Sequence, residues 1–341
     1  MKTPIAVRLA AVLVTALLAS TSGCGCGFDC NNGNNNDRPA VLSLGLSDSL
    51  PEDLKQVVIE VDSITLQRSG ATDVIIDQFA IEDPNGPASD TFQVDLLEYQ
   101  GRNQLVVISD LELDSDTYSG ISIEILDGDI NRSFVQEADD SVKVLSVANS
   151  AISAPGMTLD AGTQQFTVEF GLAQSLQYRS SDDSYLLTNH GVRTEDNAVA
   201  ASLSGRVERT LFDSVSPCDE KTDPESGNRI YLYQGQGLAD RQLGDVFNND
   251  SSTEVPDNTV TPFAVASMAE DALTGIWQYA FGFLPADDYT LAFSCDTAGD
   301  DSTDFDDLTI ALPGEQVYEI TLGEAQVAVC DLTTDANCSA Q

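Results

Sequence analysis

The sequence predicts an all-β chain built as two immunoglobulin-like β-sandwiches, and three observations carry that prediction. Apolar and polar residues alternate over short runs, as at Leu42, Leu44 and Leu46 or Phe166, Val168 and Phe170, which is the two-residue period of half-buried strands. Such runs recur at close spacing between turn residues, with no long amphipathic helical pattern among them. The spacing of Leu113-Asp-Ser-Asp-Thr-Tyr118 returns in Leu284-Pro-Ala-Asp-Asp-Tyr289, each time ahead of an alternating strand, so one sandwich plan is used twice. A chain of 341 residues also exceeds one comfortable core, which favours two domains.

The chain opens with a targeting segment. Lys2 and Arg8 flank a short charged region, and Leu9 to Ala19 is an apolar run too short to span a bilayer. Small residues then lead to a cysteine, Thr21-Ser22-Gly23-Cys24, which resembles the lipobox of bacterial lipoproteins, although Thr21 stands where leucine is usual. The resemblance implies cleavage after a signal peptide of residues 1–23 and a diacylglyceryl group on the Cys24 thiol. Ordinary cleavage without lipid is the alternative. If lipoproteins of Gram-negative envelopes are the right comparison, that resemblance implies, from Gly25 in place of aspartate, sorting to the outer membrane, with the periplasmic or cell-surface face left open. Residues 24–40, rich in Gly and Asn with little to bury, read as a flexible tether. No later stretch approaches a membrane span, so the N-terminal lipid is the expected membrane contact.

The first domain is expected over residues 41–198. VLSLGLSD gives a strand from Val41, and Pro51 opens a short turn or helical piece. VVIEVDSITLQ follows as a long strand whose apolar parity, Val57, Ile59 and Val61, slips to Ile64 and Leu66, and a β-bulge near Ser63 accounts for the slip. A PNGP loop leads to FQVDLLEY. The stretch Leu105 to Leu126 then reads as a hairpin of two strands around an Asp-rich corner. Leu105, Val107, Leu111 and Leu113 share one face, Ile121, Ile123 and Ile125 another, and Tyr118 caps the core. VKVLSV and FTVEFGL continue the pattern. Together with the closing GVRTEDNA, these stretches resemble a bacterial lipoprotein family, Domain of Unknown Function 4382. That resemblance implies location and fold and brings no catalytic residues.

The second domain is expected over residues 199–341. SLSGRVERTL reads as its first strand, with Leu203, Val207 and Leu211 in phase, and RIYLY as another. In WQYAFGF the residues Trp277, Tyr279, Phe281 and Phe283 form a stripe of strict period two, the mark of a core face rather than of a sugar platform. Gly314-Glu315-Gln316 before VYEITL echoes Gly162-Thr163-Gln164 before FTVEF, which aligns those two strands. The pattern is similar to carboxypeptidase-regulatory-like and transthyretin-like domains.

Charge and residue usage narrow the function. With 56 acidic and 15 basic residues the net charge is −41, which repels phosphate backbones and makes nucleic acid an improbable partner. His190 is the single histidine, on an expected surface loop, and nucleophile-elbow, Walker and zinc-protease motifs are absent, so no catalytic residue is assigned. Apart from Cys24, Cys26 and Cys30 on the tether, the exported chain keeps four cysteines, and the expected pairs are Cys218 with Cys295 and Cys330 with Cys338. Asp296, Asp300, Asp301, Asp304 and Asp306 crowd one loop, with Asp307 beside them. They form either a solvated surface or a calcium site, although the spacing is not that of an EF-hand. The reading is a lipid-anchored, non-catalytic envelope module for binding or structure, with a protein or carbohydrate ligand left open. A carboxylate-based polysaccharide hydrolase and a calcium-dependent adhesion module are the alternatives.

Overall fold

The computed structural model describes residues 39–48, 54–81, 88–238, 242–248, 251–314 and 316–334. The signal segment, Cys24, Cys26, Cys30, Pro51, the PNGP loop and Cys338 lie outside the described residues. All described residues belong to one compact unit.

Alternation builds strands throughout. In the first half these are β1 (Ala40–Ser47), β2 (Leu54–Arg68), β3 (Val74–Ile76), β4 (Phe92–Asp95), β5 (Leu105–Leu113), β6 (Thr117–Ile125), β7 (Phe134–Glu137), β8 (Val142–Val147), β9 (Ala151–Thr158), β10 (Gly162–Glu169), β11 (Leu176–Arg179), β12 (Ser184–Leu187) and β13 (Arg193–Asp196). In the second half they are β14 (Ala201–Val207), β15 (Arg229–Gln234), β16 (Gln242–Leu243), β17 (Thr259–Val260), β18 (Ala264–Ser267), β19 (Ala269–Glu270), β20 (Trp277–Leu284), β21 (Asp288–Ser294), β22 (Val317–Thr321) and β23 (Val327–Val329). The described helices are single turns, such as Leu172–Ser175.

Each half is a sandwich with its own core. In the first, β13-β10-β1-β5 faces the sheet that runs β11-β12-β8-β7-β2-β6-β9. Leu42, Leu44 and Leu46 on β1 are fully buried between them, and each such side chain contributes about 1.5–3 kcal/mol by leaving water. The bulge in β2 lies where the parity slipped. Its pairing with β6 shifts register between Val61 and Ser63, and this returns Ile64 and Leu66 to the core. In the second half, β19-β20-β14-β23 faces β18-β15-β21-β22.

The two sandwiches share a plan. β1 pairs antiparallel with β5 and parallel with β10, and β14 pairs antiparallel with β20 and parallel with β23. β6 lies between β2 and the edge strand β9, as β21 lies between β15 and the edge strand β22. The repeated corner has the same chemistry twice. Tyr118 Oη donates to the Asp114 carbonyl at 3.2 Å and Tyr289 Oη to the Pro285 carbonyl at 2.9 Å, four residues back in each case. The Asp116 carboxylate accepts from Thr117 N–H and the Asp287 carboxylate from Asp288 N–H, both at 2.8 Å.

Several expectations change. The stretch from Leu105 to Leu126 is not a hairpin. β5 bonds to β1 in one sheet and β6 to β2 and β9 in the other, so the corner carries the chain across the sandwich. The face of β5 also departs from strict alternation. Val107 and Ile108 are both buried, Leu105, Leu111 and Leu113 are half-buried, and register shifts against β1 and Asp110 at φ 49° mark the irregularity. The Gly-x-Gln echo misaligned the halves, because the partner of β10 in the shared plan is β23, while β22 corresponds to β9. Leu211 is buried on a helical turn, Thr210–Asp213, beyond the end of β14. The aromatic stripe holds for Trp277, Tyr279 and Phe281 and then breaks, since Phe283 has φ 47° and Leu284 takes the next core position. The break is a bulge, where β20 shifts register against β14 between Ala201 and Leu203, and Gly282 lies in it because a Cβ there would collide with the Gly101 carbonyl of the first sandwich.

Candidate functional site

The outer face of the β15–β21 sheet is aromatic, and that determines what covers it. Ile230 and Leu232 point into the main core of the second sandwich, so Tyr231 and Tyr233 point the other way. Both tyrosines are fully buried, with rings stacked 6.4 Å apart, and their hydroxyls need partners. Tyr233 donates to the Gly244 carbonyl at 2.6 Å and Tyr231 to Asp300 Oδ2 at 2.6 Å.

Asp300 belongs to the acidic loop, which therefore acts as a cover. Its side chain is fully buried, with Arg229 Nη1 2.7 Å from Oδ2 and Val246 N–H donating to Oδ1 at 3.0 Å. Burial pushes the Asp300 carboxyl up, against the pull of Arg229, the Tyr231 hydroxyl and the Val246 amide. Burial likewise pushes Asp245 up to about 6, while its Oδ2 accepts from Asp306 and Leu308 N–H at 3.0 Å. Phe305 is buried and meets the Phe247 ring edge-on at 5.4 Å.

A plainly solvated loop is thus corrected at Asp300, which is held by a cation 71 positions earlier in the chain. Asp301 accepts from the amide and hydroxyl of Thr303, Asp304 from Ser252 N–H and Asp306 from Asp301 N–H, while Asp296 is exposed. The sequence-predicted ligands are distributed over separate bonds. Among the described residues, no group of three His, Cys, Asp or Glu side chains could hold a metal ion.

The base of this loop is tied by chemistry the sequence did predict. Cys218 and Cys295 are disulfide-bonded, with Cα atoms 5.8 Å apart, and both are buried. Cys330 is also disulfide-bonded, and its partner, expected at Cys338, lies outside the described residues.

The loop and the segment at Pro262 and Phe263 both meet the first sandwich. Ser302 Oγ donates to the Leu176 carbonyl at 3.2 Å, Gln174 Nε2 to the Pro262 carbonyl at 3.1 Å, and Arg193 stacks 4.9 Å above the Phe263 ring. Arg193 stands between Glu169 at 4.0 Å and Glu195 at 3.9 Å, and burial pushes both carboxyls up to about 7 against its attraction. His190 is at this junction too, rather than on an open surface loop. Burial lowers its pKa, while backbone groups of Gln174 and Ser302 work the other way. A cleft of about 230 Å³ opens here, between Tyr178 and Tyr185 on one side and Asp301 and Ser302 on the other.

A larger groove, about 720 Å³, lies on the same outer face further along β21 and β22. Thr290, Val317 and Glu319 form its floor, and Leu238, Leu243 and Ile310 its apolar walls. Asp307 and Glu319 make its lining negative. Sequence reasoning missed this groove because its walls come from irregular segments whose apolar residues carry no period.

Residues 39–189, which make up most of the first sandwich, match the family described as Domain of unknown function (DUF4382), over less than half of the chain. No curated protein matches. Among solved structures, a leucine-rich repeat protein from Bacteroides thetaiotaomicron VPI-5482 is 12% identical with a TM-score of 0.21, covering 89% of this chain. The chain spans only 27% of that protein's length. A candidate cell adhesion protein from Bacteroides fragilis NCTC 9343 is 9% identical with a TM-score of 0.22, covering 89% of this chain and 96% of its own. At these scores neither likeness bears on function.

Proposed function

We propose that this protein is an exported, lipid-anchored envelope module that binds a partner through its second sandwich and performs no chemistry on it. The observation that carries the reading is the groove at β21 and β22, where a concavity lined by both apolar and polar side chains stays open on a sheet face otherwise covered by its own loops. The lipobox-like Cys24 and the Gly/Asn-rich tether suit a body displayed from the outer membrane. Net charge keeps such a body apart from anionic surfaces and from copies of itself.

The hydrolase alternative loses support at two of the raised carboxyls, Glu169 and Asp300. An acid catalyst must reach its substrate, yet the side chains of Glu169 and Asp300 are 1% and 0% exposed. They hold the sandwiches and the cover loop together.

The groove is tested with the neutral apolar dye Nile red. Val317 is already 40% exposed, so Val317→Asp leaves the core intact while placing charge on the groove floor. Dye affinity is expected to fall by roughly tenfold, the cost of putting a carboxylate against an apolar ligand. Equal dye binding by both proteins, with unchanged thermal unfolding, would refute the groove as a binding surface.

A further inference from the structure

The shared plan of the two sandwiches allows corresponding edges to be compared, and they are finished differently. On β9, Pro155 has no N–H to offer, its carbonyl accepts from Thr194 Oγ1 at 2.7 Å, and Ser153 N–H donates to Asn189 Oδ1 at 2.9 Å. The chain's own segment 189–194 thereby engages that edge. Its counterpart β22, with the sequence VYEIT, has no proline and no lysine.

The pairing of β22 fixes which groups face outward. Phe293 N–H donates to the Gln316 carbonyl at 3.1 Å and Leu322 N–H to the Asp287 carbonyl at 2.9 Å, so residues 316, 318, 320 and 322 bond to β21. The N–H and C=O groups of Val317, Glu319 and Thr321 therefore point away from the sheet. Among the described residues no strand pairs with that side of β22. The open row of donors and acceptors borders the groove, whose floor includes Val317 and Glu319.

We propose that the free edge of β22 takes an extended apolar segment of a partner protein as an added strand, with basic residues flanking that segment. This rests on reading the groove as the binding surface. Backbone bonds to Val317, Glu319 and Thr321 hold the segment, and alternate side chains enter the groove. Charge selects the flanks: Asp307 and Glu319 border the groove on a chain of net charge −41, which favours lysine or arginine and disfavours a second copy of this chain.

The test uses detergent-solubilised full-length protein and a labelled peptide of alternating valine and threonine with paired lysines at each end. Its twin is N-methylated on the alternate amides that would face β22, leaving its charge unchanged. The parent peptide is expected to bind, and the twin to bind about tenfold more weakly or worse for the loss of backbone hydrogen bonds. Glu319→Pro, which removes an outward N–H while sparing the bonds to β21, is expected to lose the parent peptide, whereas Glu319→Gln, which keeps that N–H and removes only the charge facing the basic flanks, is expected to weaken it far less. Equal binding of parent and twin overturns strand addition and leaves the groove reading standing. No binding of either peptide, while Nile red still distinguishes Val317→Asp, overturns it in the same way. A concentration-dependent dimer that Glu319→Pro abolishes would make the occupant a second copy and overturn the basic partner. Failure of the dye assay itself counts against the groove reading.

Discussion

Replacing Arg229 with methionine is expected to lower the stability of the protein by about 3–5 kcal/mol, the cost of leaving a buried carboxylate without its partner. Asp300 has a fully buried side chain and accepts from the Tyr231 hydroxyl and the Val246 amide as well, so it cannot turn to water when Arg229 is gone. The loss has a defined pH dependence. Burial raises the Asp300 pKa in the folded protein above its unfolded value, so the folded state holds the proton more tightly. Stability then falls as pH rises from about 4 through the folded pKa, and removing Arg229 steepens that fall. Part of the loss should return as the solution is acidified toward pH 4. Adding Asp300→Leu to Arg229→Met removes the orphaned charge and should recover stability near neutral pH. Urea unfolding of the unaltered protein, the single variant and the double variant at neutral and acidic pH measures this. Similar losses for single and double variants at both pH values would mean that the pair carries no buried charge.

Removing the Cys218–Cys295 bridge with a double alanine variant is expected to cost about 2–5 kcal/mol. The bond closes a sequence separation of 77 residues and so restricts the unfolded chain strongly. Both sulfurs are buried, so reductant should act only after the structure opens. The effect should also have a place. Cys295 leads directly into the cover loop, and hydrogen exchange should quicken over residues 296–307 before the β1–β10 pairing is affected. Uniform quickening across both sandwiches would contradict a local role for the bridge.

Much of the fold was legible because strands write their burial into a period of two. Leu42, Leu44 and Leu46 announced the central strand, and the slip at Ser63 located a bulge. The spacing that ends in Tyr118 and Tyr289 exposed an internal repeat whose hydroxyls make the same bond four residues back. Connectivity was harder to read. An Asp-rich turn between two alternating runs looks alike whether it closes a hairpin or crosses between sheets, and only pairing with β1 and β2 decides it. The site was the least legible part. Asp300 looked like any other member of an acidic cluster, because its burial depends on Arg229 and Tyr231, far away in sequence. The open edge of β22 was likewise invisible, since exposure of an edge depends on which segment lies beside it.

The central claim is that a lipid at Cys24 holds these sandwiches on the envelope, and the mature N-terminus tests it most directly. Mass spectrometry of the N-terminal peptide from protein extracted from intact envelopes should find a chain beginning at Cys24 with a diacylglyceryl mass on its sulfur, and Cys24→Ala should release the protein into the soluble fraction. A mature chain that begins at another residue, with an unmodified thiol at Cys24, would contradict the account.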